Sequence, residues 1–132
     1  MNVSVFGMLP FSQLIKEGFK KLEHKISIEN PELIYANDPR GFNEAMLLKK
    51  KYPNAYMILN MLDIPWHFPN IENQFKTMIK RFFTKSNNVT TISNKVKKDL
   101  EKFFDSNIHE KIKVIYNPIQ NVNYDKKIQK NN

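Results

Sequence analysis

The sequence predicts an α/β protein, a Rossmann-like parallel sheet of about five strands with helices on both faces. Three observations carry that expectation. Short apolar, β-branched runs recur along the chain: Val3–Phe6, Leu33–Ala36, Ala55–Leu59, Val89–Ile92 and Lys113–Tyr116. Between them lie segments with apolar residues at spacings of three and four, the period of a helix with one buried stripe. Strands joined through helices pair in parallel, because a parallel pair needs a long crossover.

Taken in order, the first strand stops at Gly7. Pro10 suits a first helical turn and Ser12 suits a cap. Phe11, Leu14, Ile15, Gly18, Phe19 and Leu22 then form one stripe. Asn30-Pro31 turns the chain into Leu33–Ala36. The segment Asn37-Asp38-Pro39-Arg40-Gly41 reads as a turn, followed by a helix from Phe42 to Tyr52 with Phe42, Ala45, Met46 and Leu48 inward. Ala55–Leu59 is apolar throughout, as in a strand covered on both faces. It opens into the loop Asn60–Asn70, NMLDIPWHFPN, which has no clear periodicity. Ile71, Phe75, Met78, Ile79 and Phe82 mark a third helix. After Val89–Ile92, Ser93 caps a fourth helix whose Val96, Leu100, Phe103 and Phe104 share a face. Lys113–Tyr116 ends at Asn117-Pro118. Residues 1–119 thus form one domain, and 120–132 a polar, Lys/Asn-rich tail.

The formal charge is +8 and sits in the second half. Residues 1–66 hold 8 basic against 7 acidic side chains, and residues 67–132 hold 13 against 6. A basic half suits an anionic partner. Yet only Arg40 and Arg81 are arginines, and arginine is what planar recognition of phosphates and bases favours. No specific nucleic acid is therefore expected. The absence of cysteine excludes disulfides, thiolate metal sites and cysteine nucleophiles. The histidines His24, His67 and His109 lack a second ligand at helical spacing, so no metal is expected. No apolar run approaches the ~18 residues that span a bilayer. The opening MNVSVFGMLP lacks the basic start of a secretory signal, so a cytoplasmic location is expected.

In a parallel sheet, ligands bind beyond the carboxyl ends of the strands. Those ends are Gly7, Asn37–Arg40, Asn60–His67, Ser93 and Asn117. No dinucleotide fingerprint, phosphate loop or nucleophile elbow accompanies them, and no cofactor is expected. Gly7 permits close backbone approach. Asp38 and Asp63 can accept hydrogen bonds from a sugar or a basic group. His67 titrates in the range of a general base. Ser93, at a helix start, leaves backbone N–H groups free for an anion. Each has a plainer reading: Asp38 in turn chemistry, His67 beside Trp66 on a loop, Ser93 as a cap, Asn117 as a strand end.

The segments VTTIS, NKVKKDL and KIKVIYNPI, in that order, resemble the end of the N-terminal domain of GT-B glycosyltransferases, most closely the retaining branch that uses nucleotide-sugar donors. ELIYANDP and AYMILNMLD are similar to two further strand ends of that family. Leu62 stands where the family carries a histidine, with Asp63 kept and His67 a few residues on. The resemblance spans about residues 3–119 and implies half of a GT-B architecture, the acceptor side. It implies a nucleotide-sugar donor held by a second domain or partner chain, and a glycan or lipid-linked acceptor, with peripheral membrane contact through the latter. His67 and Asp38 would meet the acceptor hydroxyls as the catalytic pair. Gly7, Asp63, Ser93 and Asn117 would line the substrate cleft. Such a chain alone would not be active. The competing expectation is a non-enzymatic basic α/β module that binds an anionic partner.

Overall fold

The computed structural model describes residues 1–37, 39–61, 72–103 and 110–115. The elements are β1 (Asn2–Gly7), α1 (Phe11–Lys21), β2 (Lys25–Ile26), β3 (Leu33–Asn37), α2 (Pro39–Lys51), β4 (Tyr56–Met61), α3 (Glu72–Lys85), β5 (Asn88–Thr91), α4 (Asn94–Phe103) and β6 (Ile112–Val114). All strands pair in parallel, in the order β2-β1-β3-β4-β5-β6. The α/β class and the parallel sheet agree with the sequence.

Among the described residues the sheet has six strands rather than five. The extra one, β2, is two residues long and lies in a basic turn, so no apolar run announces it. Backbone pairing to the start of β1 holds it, through Lys25 N–H to Met1 O (3.0 Å) and Ser27 N–H to Val3 O (2.9 Å). α2 begins at Pro39, three residues before the expected Phe42. A proline at the first helical position loses no hydrogen bond and arrives with helical φ, so the segment read as a turn is a helix start. Ser12 does not cap α1. Pro10 holds that position without a side-chain bond, and Ser12 lies buried inside the first turn. Gly18 faces open space, and Leu22, just past the end of α1, points to solvent; neither joins the stripe.

Strand register explains the core. Ile34 pairs with Met57, Ala36 with Leu59, Leu59 with Val89, and Val89 with Ile112. One sheet face therefore presents a continuous apolar surface. Phe42 and Ala45 of α2, Ile79, Phe82 and Phe83 of α3, and Val96 and Leu100 of α4 pack on it. Phe42 and Phe82 meet edge to face, with centroids 5.7 Å apart. Full burial of a side chain such as Phe83 or Leu100 contributes on the order of 2 kcal/mol. Val3 and Val5 alternate to the opposite face. The half-buried Phe11, Leu14, Ile15 and Phe19 of α1 lie on the helix that packs against β1. Right-handed crossovers require this split: α1 steps from β1 toward β2, whereas α2, α3 and α4 step the other way.

Two helices end on lysine ammonium groups. Lys49 Nζ donates to Pro53 O (2.9 Å) and to Ala55 O beyond the end of α2. Lys111 Nζ donates to Phe83 O (3.3 Å), Thr84 O (3.3 Å) and Ser86 O (3.1 Å) at the end of α3. A cation there satisfies orphan carbonyls and opposes the negative end of the helix dipole. Among the described residues, no helix is long and apolar enough to cross a membrane.

Candidate functional site

The order of the strands locates the crevice. From β1 the chain moves outward to β2, then returns past β1 to β3 and continues in the other direction. Loops leaving β1 and β3 therefore diverge, and the gap between them is where such sheets take ligands. Three residues build that gap. Gly7 ends β1 with φ +131°, a conformation open to glycine and strained for other residues. A Cβ on Gly7 would stand 1.6 Å from Asn37 Oδ1, so the Asn37 carboxamide fills the space a side chain would need. Asn37 Oδ1 accepts the Met8 N–H at 2.9 Å, which ties the turn after β1 to the end of β3. Gly41, in the first turn of α2, lies against the same point: its Cβ would come within 2.8 Å of Gly7 Cα.

A polar row runs across the sheet at this level. Gly7 pairs with Asn37, Asn37 with Asn60, and Asn60 with Thr90. In-register parallel partners point to the same face, here the face of Val3 and Val5. Asn37, Asn60 and Thr90 are all buried. Thr90 Oγ1 donates to Asn60 Oδ1 at 2.8 Å. Asn37 Nδ2 is buried and has no hydrogen-bond partner among the described residues. Buried donors are nearly always paired, so this one marks the crevice as chemically incomplete.

Ser93 follows the end of β5. Its Oγ accepts the Val96 N–H at 3.2 Å and its carbonyl accepts the Lys97 N–H at 3.1 Å, so it caps α4 as expected. Of the other nominated residues, Asp38, Asp63, His67 and Asn117 lie outside the described residues. His24 belongs to the opposite end of the sheet, where Nδ1 lies 3.2 Å from the Met1 amine. Among the described residues, no group of three or more His, Asp or Glu could hold a metal ion. In the sequence Asn37 stands out only as a strand end, and the neighbouring Asp38 carries the stronger chemical signal. The signal lay in aligning the ends of Leu33–Asn37 and Tyr56–Met61, which sets Asn37 beside Asn60.

Tyr35 sits two residues before Asn37 on the same face, in register with Val5 and Ile58. Burial pushes its phenol up to about 12 from the ordinary 10. The folded state thus keeps a proton that the unfolded chain releases. Its contribution to stability is intact below pH 10 and is lost as pH rises from 10 to about 12. The slope is about 1.4 kcal/mol per pH unit, or roughly 2–3 kcal/mol in all. Urea denaturation of wild type and Tyr35→Phe at pH 9 and pH 11 should show the wild type losing more stability between the two. Equal losses would contradict the assignment.

Compared with protein-family models, with curated proteins and with solved structures, the chain matches none of them.

Proposed function

We propose that the chain is the acceptor-side domain of a two-domain glycosyltransferase that moves a sugar from a nucleotide-sugar donor to a glycan or lipid-linked acceptor. The observation that supports this reading is the switch in strand order between β1 and β3, where Gly7, Asn37 and Gly41 meet around an unpaired buried donor. It lies at the edge where the resemblance to GT-B N-terminal domains locates the acceptor. In such a reaction, charge develops at the anomeric carbon and on the departing phosphate. Backbone donors and helix N-termini on two facing domains would stabilise it. This chain supplies one such wall: α1, α2 and α4 all start at this edge. Asp38 and His67 are the residues proposed to meet the acceptor hydroxyls, with Gly7, Asp63, Ser93 and Asn117 around them. The donor belongs to a second domain or partner chain. The site of action is cytoplasmic, at the membrane surface where the acceptor is lipid-linked.

Saturation-transfer NMR on the purified chain tests this division. Short oligosaccharides and water-soluble analogues of lipid-linked saccharides should receive saturation, and nucleotide sugars should not. Transfer from a nucleotide sugar by the chain unaided would overturn the division of labour. Absence of any saccharide binding would overturn the reading as a whole.

One observation favours the reading as a basic, non-enzymatic module. A groove of about 750 Å³ between α2 and α3 combines Met46, Leu47, Met78 and Phe82 with the cations Lys50 and Arg81. That reading requires binding to DNA or anionic vesicles that falls steeply with salt. No binding at low salt would retire it.

A further inference from the structure

We infer that Asn37 is the ligand-contacting donor of the crevice and that the group it takes is a neutral sugar oxygen, a hydroxyl or ring oxygen, rather than a phosphate. The inference deepens the acceptor-side reading and rests on it for the class of ligand.

The orientation of the amide is fixed by its neighbours. Met8 N–H needs an acceptor and has Oδ1 at 2.9 Å. Flipping the carboxamide would set two donors against each other. Nδ2 is therefore the orphan, on a residue 1% exposed. The cross-strand neighbour does not satisfy it, since Asn60 has turned its carbonyl to the Thr90 hydroxyl. A donor held this way in the free protein meets its acceptor when a ligand oxygen arrives. The turn after β1 carries Met8 and Leu9, 50% and 70% exposed, and ligand contact with Nδ2 requires that turn to move.

The surroundings select the ligand. The row Gly7, Asn37, Asn60 and Thr90 holds amides and a hydroxyl and no charge. Amides donate to and accept from a hydroxyl. A sugar ring offers both donors and acceptors without charge.

The test uses the full, ¹⁵N-labelled chain with the Asn37 side-chain amide assigned. It is titrated with methyl α-D-glucopyranoside, methyl α-D-mannopyranoside and methyl β-D-galactopyranoside, and separately with inorganic phosphate. At least one glycoside should shift the Asn37 NH₂ pair and slow its exchange with water, and phosphate should not. Asn37→Ala, which removes the donor without adding charge, should weaken that glycoside by about tenfold or more. If the variant does not fold, the wild-type titration decides alone. Response to phosphate without response to a glycoside, or no response to either, overturns the inference. Saccharide binding elsewhere with the Asn37 pair unmoved sinks it while leaving the acceptor-side reading standing. Loss of all saccharide binding sinks both.

Discussion

Gly41→Ala should destabilise the fold by about 3 kcal/mol or more, read as a lowered urea midpoint with an unchanged slope. The added methyl would sit 2.8 Å from Gly7 Cα, 2.9 Å from Gly7 N and 3.0 Å from Phe6 C. All three are backbone atoms, so no side chain can swing aside. β1 cannot retreat, because it pairs with β2 on one side and β3 on the other. α2 cannot lift without exposing Phe42 and Ala45, both fully buried in the main core. The glycine is required for contact between two main chains, whatever its own dihedral angles. A loss below about 1 kcal/mol would mean that α2 and β1 are not in this contact.

Gly7→Ala should cost a similar amount by a different route. At φ +131° an L-residue is strained, which alone is worth about 1–3 kcal/mol. The new methyl would also collide with Asn37 Oδ1, 1.6 Å away. Asn37 can rotate, but only by giving up the Met8 N–H. That leaves a second buried polar group unpaired, at about 1–3 kcal/mol. The two contributions can be separated. In the double variant Gly7→Ala with Asn37→Ala the collision disappears and the strain stays. Its loss of stability should be smaller than the sum of the single losses, a coupling of about 0.5–3 kcal/mol. Strict additivity would mean that the two side chains do not compete for one space.

These glycines also show where the sequence can be read and where it cannot. β1, β3, β4 and β5 are legible because Val, Ile, Leu and Met cluster in short runs bounded by glycine, proline and asparagine. The parallel order follows from the helices between them. β2 is not legible, since a strand of two residues exists only through its pairing to Asn2 and Val3. The start of α2 is hidden because Asn-Asp-Pro-Arg-Gly has the composition of a turn, and neither the role of Pro39 as a first helical residue nor the packing of Gly41 on Gly7 can be told from that composition. The candidate site divides in the same way. Gly7 and Ser93 carry local signals, a strand stop and a helix cap, and both stand at strand ends. The importance of Asn37 depends on what Met8, Asn60 and Thr90 do with their own hydrogen bonds, and no local pattern contains that. Leu22 fails for a local reason: the stripe outlasts the helix by one residue.

Lys111 joins parts of the chain that would otherwise be independent. Its ammonium group, at the entrance to β6, closes the last turn of α3, although α4 lies between them in sequence. β6 is only three residues long and forms an edge of the sheet. Such an edge would ordinarily fray first. Tied to the carbonyls of a helix whose Ile79, Phe82 and Phe83 are core, it opens only together with the end of α3. The last strand and that helix therefore behave as one cooperative unit, and the C-terminal margin of the sheet inherits the lifetime of its centre.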